Sequence, residues 1–341
     1  MQKFSRILLL LFLVAGCVIA EDITLPVLID KAIDVSPTLR KAELDIENTE
    51  IELQRLLYKE DSLPKNTLEQ RKRAVEDAYK SLETTKEVVE ENVIKAVLQL
   101  LKAQNQLRQK EIALLQARRD LEIAVVKFER GQISLNDLST AEDKVVSSVE
   151  SYESAFDNFN TAREHLANLT KLEFTSATKI DFDLEPLILD VTLEDIIIAK
   201  KSSDSLYLQS LKSVEREKTE LEQMIEDDEA KLTIRQKEIA LEKTQIDLDV
   251  NEKAMLVNAK QSFYSYENTK KRLLDQSAEV KRVKDRLLQG NKQYDDGLIT
   301  LNELEDIKYQ LEIAEMKLEE AKWELHIASI ELKRLVDICG R

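Results

Sequence analysis

The chain has 341 residues, of which 34% are charged and only 5% are aromatic. Five glycines and four prolines are too few turn residues for a protein of many strands, so the composition predicts an all-α protein. Long solvated helices that pack along narrow seams fit it best. The formal net charge of −16 argues against a nucleic-acid partner, because such surfaces need clustered lysine and arginine.

The first residues have the pattern of an export signal. Two basic residues precede an apolar run at residues 7–14, which is too short to span a membrane. Two processing sites are consistent with the residues that follow. One removes a signal peptide of residues 1–20, and the other removes a lipoprotein signal of residues 1–16 and leaves a lipidated Cys17. The sequence leaves both alternatives open.

The rest of the sequence is one unit present twice. The segment GQISLNDL at residues 131–138 returns as GLITLNEL at residues 297–304, and 297 minus 131 gives an offset of 166. Internal repeats at such a period indicate a duplicated architecture. The sequence therefore predicts two tandem helical repeats, residues 21–185 and residues 186–341.

Capping residues predict the helices within each repeat. Thr24 and Thr192 are candidate N-caps of a first short helix, while Ser36 before Pro37, and Asp204, can begin a second one. A long helix and a returning helix follow in each repeat, which together form an antiparallel hairpin. The predicted long helices cover residues 66–130 and 233–289, and the predicted returning helices cover residues 134–171 and 300–338.

Apolar residues predict the seams of these hairpins. A ladder of leucine and alanine runs through residues 100–128 and is broken only at Lys110. The last helix has a similar stripe at the three- and four-residue spacing of a coiled coil. A hairpin within one chain and an assembly of subunits both account for these seams. The stripe of the last helix is Leu304, Ile307, Leu311, Ala314, Leu318, Ala321, Leu325, Ala328, Leu332 and Leu335.

The order of the predicted elements resembles that of the TolC-like outer-membrane efflux proteins. In each repeat it is short helix, long helix, glycine tip and returning helix. Residues 23–39 look like the opening segment of that family, and residues 128–138 look like its hairpin tip. The resemblance covers about residues 22–338. It implies a homotrimer whose helices build a hollow periplasmic cylinder. Such a cylinder exports drugs or proteins together with a periplasmic adaptor protein and an inner-membrane pump.

The sequence departs from this family between the second and the long helix of each repeat, where the family inserts a pair of membrane strands. The junctions at residues 60–65 and 225–231 are short and charged, whereas a spanning strand needs about 9 to 11 residues. We therefore expect a reduced form without the membrane β-barrel, in the periplasm or on the periplasmic face of the outer membrane. A lipid on Cys17 would hold it there. Without that lipid, another protein would have to supply the pore.

The two hairpin tips are candidates for docking the adaptor. Helix chemistry alone also accounts for them, since glycine suits the left-handed position that ends a helix, and the next helix begins with a capping box. The resemblance implies that their exposed members also contact a partner hairpin. The candidate residues are Gly131, Gln132, Ile133, Ser134 and Asp137 at the first tip, and Gly297, Leu298, Ile299 and Thr300 at the second.

Acidic residues near the second tip form a candidate gate. Glu303 and Asp306 lie where, by resemblance, TolC-like proteins place carboxylates that ring the periplasmic entrance. In a trimer they would make a constriction that prefers cations, and Asp295 and Asp296 would add to its field. The alternative is a solvated face with favourable charge at a helix N-terminus.

Catalysis has little support in the sequence. The only histidines are His165 and His326, and no cysteine or acidic spacing near them resembles a metal site. We expect both to be packing residues, and we expect no catalytic residue, cofactor or metal. The functional alternatives are a conduit component of an efflux or secretion assembly and a non-transporting coiled-coil scaffold of the cell envelope. A periplasmic adaptor is a weaker third, because its β-rich segments are missing.

Overall fold

The computed structural model describes residues 23–58, 65–174 and 182–337, and within them every regular element is an α-helix. The predicted all-α fold is confirmed. Cys17 and the export signal lie outside the described residues. The helices are α1 (Leu25–Val35), α2 (Pro37–Leu57), α3 (Lys65–Glu129), α4 (Leu135–Thr170), α5 (Leu193–Ser203), α6 (Ser205–Glu226), α7 (Lys231–Asp295) and α8 (Leu301–Asp337).

The chain divides into two compact units, Met1–Asp183 and Leu184–Arg341, and each unit contains four of these helices. The sequence repeats at residues 21–185 and 186–341 remain a prediction. The predicted N-caps Ser36, Thr192 and Asp204 are confirmed, because each side chain accepts a hydrogen bond from a backbone N–H group. Thr24 also lies at the N-cap position of its helix, but its side chain makes no capping hydrogen bond.

In the first unit, two shorter helices lie along one long helix. Helix α3 has 65 residues, which corresponds to a length of about 100 Å. Arg71 Nη1 of α3 lies 2.6 Å from Glu52 Oε2 of α2. Farther along α3, Asp120 Oδ2 lies 2.8 Å from Lys144 Nζ of α4. The second short helix and the returning helix therefore share one long helix.

The second unit repeats this arrangement around α7, which also has 65 residues. Lys237 Nζ of α7 lies 2.8 Å from Glu217 Oε2 of α6, and Arg272 Nη1 lies 2.6 Å from Glu324 Oε2 of α8. Between α6 and α7 the connection consists of residues 227–230 alone, too few for a pair of strands. The short second junction predicted from the sequence is therefore confirmed.

Helix α7 extends beyond the end at Gln289 that the sequence predicts, so that prediction is wrong. It continues through Gly290 to Asp295. Gly290 is buried against α8, and a Cβ atom there would lie 2.8 Å from Ile307 Cδ1. Close packing of the two helices at this point outweighs the cost of about 1 kcal/mol for glycine in a helix interior.

The apolar stripe predicted for the last helix forms the core of the second unit. Leu325 is fully buried and Leu332 nearly so, and both belong to one cluster with Ala259 and Tyr266 of α7. Nearer the tip, Ala314 packs in a second cluster with residues of α7. The predicted seam within the hairpin is therefore confirmed.

Two residues of the first unit are exposed although the sequence predicts that they pack in the core. Phe128, the last member of the first ladder, is 38% exposed because it lies in the final turn of α3 beside the tip. His165 is exposed because the buried face of α4 uses Ala162 and Leu166 on either side of it. The spacing of apolar residues along one helix does not show how far the helix that packs against it extends.

An extended segment before α5 is fastened to α7 and α8 by side chains. The Tyr266 hydroxyl accepts from the N–H of Leu189 at 2.8 Å and donates to the carbonyl of Leu189 at 3.0 Å. His326 Nδ1 accepts from the N–H of Leu187 at 3.4 Å, and Ser329 donates to the carbonyl of Leu187. Burial lowers the pKa of His326, which favours the neutral ring that can accept this bond. The packing role predicted for His326 is confirmed.

Replacing Tyr266 with phenylalanine should lower the free energy of unfolding by about 1–3 kcal/mol, because two backbone groups of Leu189 lose their partner. Chemical denaturation followed by circular dichroism measures this change. Tyr264→Phe is the matched control, since that neighbouring tyrosine is exposed, and its effect should stay within about 0.5 kcal/mol. Equal stability of Tyr266→Phe and the parent would contradict the role of this hydroxyl.

The hairpin tips as a candidate docking and gating site

The first tip ends α3 with a left-handed glycine. Gly131 has a φ of +68°, as the sequence predicts. The N–H of Gly131 donates to the carbonyl of Phe128 at 2.8 Å, and the N–H of Gln132 donates to the carbonyl of Lys127 at 2.9 Å. This pair of bonds is the Schellman motif, which satisfies carbonyls that the end of a helix would otherwise leave without partners.

The second tip has the same geometry. Gly297 has a φ of +71°, and its N–H donates to the carbonyl of Tyr294 at 2.9 Å. The N–H of Leu298 donates to the carbonyl of Gln293 at 2.7 Å. Both predicted left-handed glycines are therefore confirmed, and the two hairpins turn by the same backbone mechanism.

Each returning helix begins with the predicted capping box. At the first tip, Ser134 Oγ accepts from the N–H of Asp137 at 3.2 Å, and Asp137 Oδ2 accepts from the N–H of Ser134 at 2.9 Å. At the second tip, Thr300 Oγ1 accepts from the N–H of Glu303 at 3.3 Å, and Glu303 Oε2 accepts from the N–H of Thr300 at 2.7 Å. These bonds pair backbone donors that the first turn of a helix cannot pair itself.

The capping bonds also set the charge of the tips. The hydrogen bonds from Ser134 lower the pKa of Asp137, and those from Thr300 lower the pKa of Glu303. Asp306, one turn farther along α8, acts in the opposite direction on the pKa of Glu303 by charge repulsion. Glu303 therefore carries its negative charge at neutral pH while its carboxylate also serves as the helix cap.

The tips expose different side chains to a partner. Gln132 is the exposed residue after the glycine of the first tip, whereas the second tip presents Leu298, which is 72% exposed. Ile133 and Ile299 are only partly exposed, as expected of residues that pack against their own helix. Directly after the glycine, a partner would thus meet a polar residue at the first tip and an apolar one at the second.

An exposed apolar stripe on α7 is a candidate site that the sequence analysis misses. Its six residues are between 39% and 82% exposed. The sequence carries its signal as apolar residues at a repeated spacing of seven, which resembles the ladders of the first long helix and the last helix. We call this surface the α7 stripe, and it consists of Leu232, Ile239, Ile246, Val250, Val257 and Tyr264.

Among residues 23–58, 65–174 and 182–337, no group of three or more histidine, cysteine or acidic side chains could hold a metal ion. None of the helices in this part of the chain combines the length and the apolar character needed to cross a membrane.

Neither a family model nor a curated protein matches the sequence. Three solved channel structures share the fold. The chain matches CusC with a TM-score of 0.56 at 13% identity, over 93% of this chain and 95% of that one. The match to the CmeC outer-membrane channel of Campylobacter jejuni has a TM-score of 0.57 at 13% identity, over 92% of this chain and 85% of that one. The match to the outer-membrane channel OprN has a TM-score of 0.56 at 13% identity, over 92% of this chain and 89% of that one. The chain therefore has the helical-hairpin fold of TolC-like outer-membrane channels.

Replacing Gly297 with alanine should destabilise the second tip by about 1–2 kcal/mol, because an L-residue with a Cβ atom is strained at positive φ. Nothing lies within 4 Å of the position of that Cβ atom, so the cost comes from the backbone alone. Thermal unfolding measures it. Gly297→Asn is the control and should cost less, since asparagine tolerates the left-handed region. Equal effects of alanine and asparagine would contradict this account.

The caps should weaken when the pH falls. Because the pKa values of Asp137 and Glu303 are lowered in the fold, their stabilisation is complete above the ordinary carboxyl values of about 4 and is lost below them. Carbon NMR of the two carboxyl groups should show midpoints below those values. Ser134→Ala and Thr300→Ala should raise the midpoints, and unchanged midpoints would contradict the capping role.

Proposed function

We propose that the chain is the conduit component of an efflux or secretion assembly, located in the periplasm or at the periplasmic face of the outer membrane. One observation carries this proposal. Two 65-residue helices, each returning through a capped glycine tip, share the fold of proteins that are themselves described as outer-membrane channels. Helices of this length suit the wall of a cylinder, and we propose a homotrimer as its assembled form.

The tips are the proposed contact with a periplasmic adaptor, which would link the conduit to an inner-membrane pump. Their rigid turns support this assignment, because the Schellman motif and the capping box hold the exposed residues in one conformation. Leu298 and Leu301 expose apolar surface at the second tip, and Leu135 does so at the first. An apolar seam of a helical hairpin is the kind of partner that these leucines fit.

Glu303 and Asp306 are the proposed constriction of the assembled conduit. Their charges are close enough to interact, since Asp306 raises the pKa of Glu303 against the effect of the cap. Three copies around one axis would place six carboxylates in two rings about one helical turn apart, and such rings favour cations. The proposal involves no catalytic step. The lipid anchor on Cys17 also stays a proposal.

The oligomeric mass of the exported chain, measured by light scattering with electron-microscope images of the same sample, tests this function. A hollow trimer is the expected result. A monomeric rod or a solid dimer would contradict the conduit and would favour the coiled-coil scaffold. In a scaffold, the capping bonds of the tips would serve only to stabilise the hairpins.

Replacing Glu303 with glutamine should reduce the cation preference of the assembled channel without unfolding its tip. Glutamine can take the same place in a capping box, so the change removes the charge and keeps the cap. Ion selectivity of the reconstituted channel measures the effect. Asp137→Asn is the control at the equivalent position of the first tip, and equal effects of both changes would contradict a gate at Glu303.

A further inference from the structure

An extended segment leads into α5 and covers residues 184–191, which we call the strap. It forms no helix, so its backbone groups need partners other than those of a helix ladder. Leu189 and Val191 pack against the core cluster of the second unit. Leu187 and Ile188 are 37% and 61% exposed. Apolar packing therefore holds the end of the strap next to α5, whereas hydrogen bonds hold it at Leu187.

Tyr266 of α7 fixes the strap at Leu189. The Tyr266 hydroxyl accepts from the N–H of Leu189 at 2.8 Å and donates to the carbonyl of the same residue at 3.0 Å. The Tyr266 side chain is buried, so this pair of bonds is largely shielded from water. Leu189 is therefore a fixed point from which the residues before it can move.

Two side chains of α8 hold the strap at Leu187. His326 Nδ1 accepts from the N–H of Leu187 at 3.4 Å, and Ser329 donates to the carbonyl of Leu187. The bond to His326 is weak, because it is longer than the usual distance of about 2.9–3.0 Å. A neutral imidazole can accept at one nitrogen, but a protonated ring has two N–H donors and no acceptor. Protonation of His326 therefore removes the partner of the Leu187 N–H and turns two donors towards each other.

Ser329 has a second acceptor that does not belong to the strap. Its side chain is fully buried, and its Oγ lies 2.8 Å from the carbonyl oxygen of Leu325, one turn earlier in α8. A serine hydroxyl has one hydrogen, so it donates to Leu187 or to Leu325. When the strap leaves, the hydroxyl can donate to Leu325, as serines within helices often do to the carbonyl four residues before. Release of Leu187 thus leaves the buried hydroxyl with a partner, which keeps the cost of opening low.

Burial, rather than a neighbouring charge, controls the protonation of His326. Burial lowers the pKa of the ring, and no charged group among the described residues shares in that effect. The strap therefore closes over a neutral ring at neutral pH. Charged side chains lie on every element packed around this site. They are Lys270 and Arg272 of α7, Lys322, Glu324 and Glu331 of α8, Lys200 of α5, and Glu185 and Asp190 of the strap.

The repeated fold does not require the side chains that hold the strap. Subtracting the offset of 166 from positions 266, 326 and 329 gives Leu100, Asn160 and Arg163 in the first unit. Leucine has no polar group, and neither asparagine nor arginine changes its charge near neutral pH. The histidine and its two hydroxyl neighbours are therefore specific to the second unit, where they meet the strap.

We propose that the strap is an acid-released clasp, in which protonation of His326 frees residues 184–188 from α8 while Tyr266 keeps Leu189 in place. Opening returns the His326 ring to water, where it takes up a proton more readily than in the closed strap. Because the pKa is lowered in the closed strap, that state is fully stable above the ordinary histidine value of about 6.5 and loses stability as the pH falls below it. The clasp does not depend on the conduit proposed above, because all of its groups belong to one unit.

Amide hydrogen exchange of the full chain at about pH 8 and about pH 5 tests the clasp, read by mass spectrometry with fragmentation to single residues. The unfolded chain supplies the intrinsic exchange rates at each pH. After this correction, the Leu187 amide should exchange several-fold faster at the lower pH. Opening becomes about tenfold more frequent for each pH unit between the pKa values of His326 in the closed and the open strap. The Leu189 amide should stay protected at both pH values, because its bond to Tyr266 does not involve His326.

Two variants separate His326 from a general effect of acid. His326→Asn keeps an uncharged acceptor near the position of Nδ1 but takes up no proton, so its corrected Leu187 exchange should be the same at both pH values. His165→Asn is the matched control, since it removes the exposed histidine of the first unit and should keep the pH dependence of the parent. Circular dichroism at the higher pH shows whether both variants are folded.

Three results would overturn the clasp. One is a parent chain whose Leu187 amide exchanges equally at both pH values after correction. Another is the same acid effect in His326→Asn as in the parent. The third is equal acceleration of Leu187 and Leu189, which would mean that the segment detaches as a whole. The first comparison uses the parent chain alone, so it holds even if a variant does not fold. Since none of these results depends on the oligomeric mass, the clasp can fail while the conduit stands.

Discussion

A helix of 65 residues can be stable in water only if its apolar face is covered along its length, and the structure of each unit depends on this constraint. No other helix of the unit is as long, so two shorter helices share the task. One comes before the long helix in the chain and the other after it. Each unit therefore needs one tight turn at the far end of its long helix, and its glycine tip provides that turn.

The two tips combine structure and charge in the same residues. Asp137 and Glu303 close capping boxes, and the bonds that make them caps also lower their pKa values and so favour the ionised forms. A carboxylate held in this way has a fixed position, which an exposed glutamate on a regular helix would not have. Structural and functional interpretations of the tips are therefore compatible, because a partner or a permeating ion would meet the charge that the cap holds in place.

Local chemistry was predictable from the sequence, whereas packing across helices was less so. The left-handed glycines, the capping boxes and the N-caps at Ser36 and Asp204 follow from interactions within a few residues, and the structure contains all of them. The helix end at Gln289 was wrong because the contact of Gly290 with Ile307 lies between two helices. Spacing within one helix shows that a face is apolar, but it does not show what covers that face.

The sequence by itself determined the all-helical class, the duplicated hairpin and the chemistry of its turns, because these depend on composition, periodicity and neighbouring residues. Only the tertiary structure decided which apolar faces are covered within a unit. The stripes of α7 and α8 have similar spacing, yet the α8 residues are largely buried and those of the α7 stripe are exposed. Burial depends on which surfaces the chain brings together, and that depends on contacts between residues far apart in the sequence.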